Sequence, residues 1–277
     1  MSTPALHPAA RPPGPDALDA LHARLDVLER RPGVRAIAVA VHDTASHANF
    51  RRHAERWFHA ASTIKVAILL GVYSAIHHGW LLPHSRLHVR NRFFSAVDGQ
   101  TFRVLADRDA NSEVHETVGK MMRISDLALR MIATSSNLAT NLLLDLVGIE
   151  TVQRALDELH LDGIDIRRGV EDERAFSSEL SREMLGILHA QEFRNGIPAR
   201  LPPAVRVAHK TGDISTVAHD AGVVYPPRRK PYVIAVLTEW EPEAVGRSAT
   251  IAEISHAVYE LLTGDTSPGP EPETIDG

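Results

Sequence analysis

Apolar residues at Leu18, Leu21, Leu25 and Leu28 recur at helical spacing, with Asp16 ahead of them as a cap and Pro32-Gly33 behind them as a stop, so the pattern predicts a first helix. Arg35 to Val41 is a β-branched and Ala-rich run, and Arg56 to His59 a second short one, which together predict a hairpin. The stretch Phe58 to Lys65 leads straight into the apolar run Val66 to Tyr73. It predicts a strand end turning into a buried helix that has Ser62 at its N-terminus and ends near Gly79.

From Leu81 to Lys120 the periodicity weakens into loops, with a turn at Asp98-Gly99 and a polar, mostly acidic run from Asp107 to Glu116. Helical spacing returns from Ile124 to Val147 with an interruption near Ser135, from Thr151 to Leu159, and from Glu183 to Phe193. Val205 to Lys210, Ala218 to Val224 and Tyr232 to Thr238 then predict three antiparallel strands, and Glu243 to Leu262 a closing amphipathic helix stopped by Gly264.

Strands near both ends with helices between them predict an α/β (α+β) fold. An antiparallel sheet formed by both chain ends is flanked by the first and last helices and carries an inserted all-helical lobe. The expected divisions are a disordered segment 1–15, an α/β lobe of 16–80 and 200–264, a helical lobe of 81–199 and a disordered tail 265–277, with an active site in the cleft between lobes.

Composition narrows the function classes. The 277 residues can bury a real core, and 44% hydrophobic with 23% charged residues is ordinary for a globular chain. A net charge of −5 without a long basic run gives no footprint for nucleic acid. The absence of cysteine excludes thiol catalysis, disulfides and Cys-based zinc sites. No apolar run approaches the roughly 18 residues of a membrane span, so no membrane partner is expected. The Pro-rich start lacks the apolar core of a leader, which reads as cytoplasmic as the sequence stands, and as periplasmic or secreted if a signal peptide was removed.

The candidate chemistry begins at Ser62-x-x-Lys65. Residues three apart on a helix are neighbours, so the pair sets a nucleophile beside a base, and an amine carried on a largely buried helix needs a reason. Taken alone it is weak, since Ser is a common cap and Lys ordinary helix surface. Ser135-Ser136-Asn137 lies at the break between two helical stretches, where a plain cap is the bland reading. His209-Lys210-Thr211-Gly212 ends a predicted strand, where a strand-to-turn junction is the bland reading.

In this order, and on these elements, the three motifs are far more specific. The chain resembles the serine β-lactamase and penicillin-binding protein superfamily, class A β-lactamases in particular, over roughly Arg35 to Leu262. Met131-Ile132, Leu138-Ala139-Thr140-Asn141 and Asp220-Ala221-Gly222 add to the likeness. The resemblance implies a serine hydrolase acylated at Ser62, with Lys65 as base and Ser135 relaying a proton to the leaving nitrogen. It implies that Asn137 holds the substrate amide, that Lys210, Thr211 and Gly212 form the substrate-binding strand with Lys210 and Thr211 on a substrate carboxylate, and that the backbone N–H groups of Ser62 and Asp213 form the oxyanion hole. No cofactor or metal is implied. The expected partner is a small β-lactam or acyl-peptide or ester substrate, and the expected state a monomer.

The chain also departs from that family. Class A enzymes need a second base, a Glu on the omega loop, to free the acyl-enzyme. The matching stretch is Arg167-Arg168-Gly169-Val170-Glu171-Asp172, which puts Val170 at the expected position and Glu171 one residue late, without the Glu-x-x-Leu-Asn pattern. Glu171 is therefore the candidate deacylating base, with a solvated acidic turn as its bland alternative. The stretch from Glu171 to Lys210 is also short for the family, which implies a missing helix and a more open site.

Ser136 stands where class A enzymes have Asp, and Asp220 where many have an Arg for the substrate carboxylate, implying weaker carboxylate binding. Of the sixteen histidines, only His77-His78, His209 and His219 lie near a motif or in tandem, and none has metal-ligand spacing. His219 is placed to line the cleft. Two rivals remain: an esterase, amidase or D-Ala-D-Ala peptidase with little β-lactam turnover, and a penicillin-binding or cell-wall-peptide sensor without turnover.

Overall fold

The computed structural model describes residues 10–94, 101–110, 112–159, 161 and 178–266. Two compact units divide the chain, one of Met1–Ala61 with Phe193–Gly277 and one of Ser62–Glu192.

The first unit is a five-stranded antiparallel sheet. Its strands are β1 (Val34–Asp43), β2 (Asn49–Arg52), β7 (Arg206–Ile214), β8 (Val217–Tyr225) and β9 (Tyr232–Trp240), in the order β2-β1-β9-β8-β7. The central strand β9 shows the period of two that a half-buried strand requires: Tyr232, Ile234, Val236, Thr238 and Trp240 all face inward and are buried. Helices α1 (Pro15–Glu29) and α7 (Arg247–Thr263) pack on this sheet and on each other through Leu21, Leu25, Leu28, Ile251, Ile254 and Val258. Gly264 ends α7 in the left-handed conformation, φ 71°, and its N–H bonds the Glu260 carbonyl at 2.9 Å.

Four expectations about this unit are corrected. The partner of β1 is Asn49–Arg52 rather than Arg56–His59. The buried Asp43 carboxylate accepts the N–H groups of Ala45 and Ser46 and pairs with Arg229 at 2.8 Å, so the hairpin closes early. Phe50 then enters the core, and Arg52 reaches Asp26 and Glu29 of α1. The chain turns away at His53 before it reaches residue 56. Gly14, not Asp16, occupies the cap of α1; Asp16 sits in its first turn, where its charge favours the positive end of the helix. α7 begins at Arg247 because residues 243 and 246 take positive φ in the preceding turn. Lys210-Thr211-Gly212 lies inside β7, which runs on to Ile214, rather than ending it.

The second unit is helical. α2 (Lys65–His77) follows a 3-10 turn (Ala61–Ile64) and packs against α3 (Ile124–Ala133), α4 (Asn137–Val147), α5 (Ile149–Glu158) and α6 (Ser178–His189). Short strands β3 (Arg86–His88), β4 (Phe93–Phe94), β5 (Thr101–Phe102) and β6 (Met121–Arg123) occupy the stretch expected as loops, pairing β3 with β6 and β4 with β5. The expected turn at 98–99 lies outside the described residues. α2 is apolar nearly all round, the pattern of a helix surrounded by others, with Ile68, Leu69, Val72 and Tyr73 in the main cluster and Ala67 against Val152 and Leu156. Gly71 makes this possible: a Cβ there would stand 2.7 Å from Val152 Cγ2 and 3.0 Å from Val152 Cα on α5.

Candidate active site

In the helical unit, Ser62 sits in the 3-10 turn that feeds α2, and Lys65 is the first residue of α2 itself. The residue before Ser62, Ala61, has φ 45°, a left-handed conformation that costs an L-residue about 1–2 kcal/mol. Its N–H donates to His59 Nδ1 at 3.1 Å. Lys65 is 3% exposed, and its Nζ meets the Ser135 carbonyl at 2.6 Å, Ser135 Oγ at 3.0 Å and Asn137 Oδ1 at 2.8 Å. Burial pushes the amine down to about 8 from an ordinary 10.5, against the opposing pull of the Asp109 carboxylate.

Those contacts have a directional consequence. The Ser135 carbonyl and Asn137 Oδ1 accept only, and a neutral amine has two N–H groups to give them. The third partner, Ser135 Oγ, takes the third N–H of the ammonium, and in the neutral amine it is toward a hydroxyl that the lone pair is left to point. The Ser135-Ser136-Asn137 turn that supplies these partners is itself unusual. Ser135 is buried with φ 59°, a second strained residue next to the chemistry, and strain of this kind persists only where the surroundings over-determine it. Ser136 caps α4, accepting the Ala139 N–H at 3.2 Å, and is fully buried.

Sequence reasoning missed Asp109, which lies in the acidic run taken as loop. Its carboxylate accepts from Asn137 N at 2.7 Å, Leu138 N at 2.9 Å and Ser136 Oγ at 3.1 Å. Nothing in the spacing singles it out among its acidic neighbours.

In the sheet unit, Lys210, Thr211, Gly212 and Asp213 lie consecutively on β7, the edge strand. Lys210 is fully buried, its Nζ donating to the Thr211 carbonyl at 2.8 Å. Burial raises the Asp213 carboxyl, and Arg247, at 3.0 Å, opposes the rise. Arg247 also donates to the Ile214 carbonyl at 2.6 Å, so the first residue of α7 steadies the strand just beyond Lys-Thr-Gly. Sequence reasoning did not single out Arg247 either.

Two residues prove to be braces of the sheet. Asp220 is fully buried, with Oδ1 2.8 Å from His209 Nδ1 and Oδ2 accepting the Ile197 N–H at 2.8 Å. It serves the inside of the fold, with both carboxylate oxygens turned to partners within the sheet unit. Gly222 stands opposite His209 because a side chain there would collide with the Ala208 carbonyl and His209 Cβ.

His219, expected to line a cleft, is 2% exposed. Its Nε2 bonds the His59 carbonyl at 2.8 Å and its Nδ1 accepts the Thr238 N–H at 3.1 Å, which requires the neutral tautomer with the proton on Nε2. Burial lowers its pKa in keeping with that. It anchors the carbonyl three residues before Ser62.

The structure thus brings Lys65, Ser135 and Asn137 together in one unit and sets Lys210 to Asp213 along one strand of the other. Glu171, with Arg167, Arg168 and Val170, lies outside the described residues. Among the described residues no cluster of His, Cys, Asp or Glu could hold a metal, and no helix is long and apolar enough to cross a membrane.

Solved structures share this fold. PBP-A superposes with a TM-score of 0.74 at 23% identity, over 92% of this chain and 98% of that one. A point variant of PBP-A was solved as an acyl-enzyme complex with penicillin G. An ancestral class A β-lactamase superposes with a TM-score of 0.71 at 24% identity, over 87% and 99%. The fold is therefore that of the class A β-lactamases and PBP-A. A β-lactamase of Streptomyces fradiae is 28% identical, over 92% of this chain and 90% of that protein. The chain belongs to the β-lactamase enzyme family, whose model matches residues 20–262, and is a serine β-lactamase-like hydrolase.

Proposed function

We propose that this chain hydrolyses the β-lactam amide through an acyl-enzyme on Ser62, with the neutral amine of Lys65 as the base. One observation carries the reading: a buried amine, lowered to about 8, whose two N–H groups are claimed by the Ser135 carbonyl and Asn137 Oδ1. A hydroxyl is too weakly acidic to attack unaided, and an amine near neutrality with a free lone pair is suited to take its proton.

Ser62 Oγ attacks the lactam carbonyl as its proton passes to Lys65. Ser135 Oγ, 3.0 Å from Lys65 Nζ, then delivers a proton to the leaving nitrogen as the C–N bond breaks. Asn137 turns its oxygen to Lys65, so its amide N–H groups remain to hold the substrate's side-chain carbonyl. The backbone N–H of Ser62 is a donor for the oxyanion, and removal of one such donor typically costs ~10²–10³ in rate. Lys210 and Thr211 bind the substrate carboxylate. Glu171 is the proposed deacylating base.

A second reading, acylation with slow release, is favoured by the absence of Glu-x-x-Leu-Asn after Glu171 and by the likeness to PBP-A, a variant of which forms a penicillin G acyl-enzyme. Intact-mass spectrometry of the protein mixed with penicillin G, followed over time, separates the two. An adduct that forms and clears on the wild type, is absent from Ser62→Ala and persists on Glu171→Gln supports full hydrolysis. A persistent wild-type adduct supports the second reading. No Ser62-dependent adduct and no product would overturn both.

A further inference from the structure

The middle of the Ser135-Ser136-Asn137 turn carries no carboxylate of its own, yet a carboxylate meets it from 27 residues earlier in the chain. Asp109 follows a 3-10 turn (Ala106–Arg108), and its side chain is fully buried. Oδ1 accepts the Asn137 N–H at 2.7 Å; Oδ2 accepts Leu138 N–H at 2.9 Å and Ser136 Oγ at 3.1 Å, and lies 3.1 Å from His115 Nε2. Three of these four contacts are with the cap and first turn of α4, where unpaired N–H groups and the positive end of the helix favour an anion. Asp109 and Ser136 share the capping, Ser136 Oγ taking the Ala139 N–H and Asp109 those of Asn137 and Leu138, and Asp109 in addition holds the Ser136 hydroxyl.

We propose that Asp109 is a positioning residue of the acylation reaction, gripping Ser136, Asn137 and Leu138 so that Ser135 and Asn137 are held in the geometry in which they meet Lys65. The proposal rests on the reading of Lys65 as the base. Ser135 keeps φ 59° although it is not glycine, so its neighbours on both sides must hold it there. On one side its carbonyl takes the Lys65 amine; on the other, the next three residues each bond Asp109. The Asn137 backbone is fixed by Asp109 while its side chain turns to Lys65, so one carboxylate sets both acceptors that leave the lone pair of the amine free.

The carboxylate also acts at a distance, since its charge favours the protonated form of Lys65 against burial. His115 faces Asp109 from the 3-10 turn His115–Thr117, and the Arg130–Glu113 pair ties α3 to the same loop. Neutralising Asp109 therefore has two consequences of different kinds: the turn loosens, and the Lys65 amine titrates at lower pH.

The test is acylation by penicillin G of the full chain across pH 6–9, read by stopped flow and intact mass, for wild type, Asp109→Asn, Asp109→Glu and Asp43→Asn. Asp43→Asn removes a buried carboxylate from the sheet unit and serves as the control for destabilisation. Asp109→Asn is expected to lower the high-pH plateau tenfold or more per folded molecule and to move the midpoint to lower pH. Asp109→Glu, which keeps the charge but displaces it, is expected to lower the plateau and leave the midpoint within a few tenths of a pH unit, and decides the matter if Asp109→Asn does not fold. Asp43→Asn is expected to lower the Tm and change neither. A plateau within twofold of wild type in the folded Asp109 variants, an unmoved midpoint in Asp109→Asn, or both changes reproduced by Asp43→Asn would overturn the proposal. A wild type that takes no Ser62-dependent adduct would overturn the Lys65 reading and this proposal with it, an outcome distinct from an active wild type indifferent to Asp109.

Discussion

Proton occupancy on Lys65 should set the pH dependence of acylation. With the amine at about 8, roughly one-tenth of the protein carries it neutral at pH 7, about one-hundredth at pH 6 and about half at pH 8. The second-order acylation constant, which reports ionisations of the free enzyme, should therefore climb about tenfold per pH unit below 7 and level off above 9. Lys65→Met, similar in shape but without a base, should abolish the climb and most of the rate.

The same group leaves a mark on stability. The gap between about 8 and 10.5 is worth ~3 kcal/mol at about 1.4 kcal/mol per unit. Between those values the unfolded chain holds the proton and the folded chain has lost it, so stability rises with pH through that window. Below about 8 both states are protonated and the cost is borne in full. Stopped-flow acylation and urea titrations at pH 7 to 10.5 measure the two effects. An acylation constant flat from pH 6 to 9, or a wild-type stability slope that Lys65→Met leaves intact, would refute the argument that this buried amine is the base.

Three further outcomes follow from the packing. Ser135→Gly and Ser135→Ala both lose the hydroxyl and should acylate poorly, but glycine accepts φ 59° and alanine does not, so the glycine variant should be the more stable by about 1 kcal/mol in thermal melts; equal stabilities would deny the strain. Asp220→Ala breaks a fully buried contact with His209 and should cost about 3 kcal/mol while acylation per folded molecule holds, and a stable variant with impaired acylation would refute its role as a brace. Gly71→Ala gains about 1 kcal/mol of helix propensity but overpacks Val152 at a cost of about 1–3 kcal/mol, so chemical denaturation should show a net loss, and a gain would mean that α2 and α5 separate freely.

Where periodicity was long, it located the elements. The leucines of α1, the break at Ser135 between α3 and α4, and the three strands after residue 205 all appear within a few residues of their expected bounds. Failures came where one side chain overrides the local pattern. Asp43 closes the β1–β2 hairpin early, a device that one carboxylate performs through its neighbours' N–H groups and that no alternation reveals. His219 sat beside the right motif and was expected to line a cleft, because a sequence does not say which face of a strand a polar residue takes when both faces are covered.

Sequence alone determined which candidate groups stand at which spacing: Ser62 and Lys65 one helical turn apart, Ser135 and Asn137 at a break, and Lys210-Thr211 on a strand, because local spacing is a property of the chain. Tertiary structure decided what those groups can do. Burial between helices lowers the Lys65 amine to about 8, the Ser135 carbonyl and Asn137 Oδ1 from a strained turn some 70 residues away take its N–H groups, and Asp109 reaches that turn from a loop. Desolvation and hydrogen-bond partnership are set by atoms distant in the sequence, so they exist only once the chain has folded.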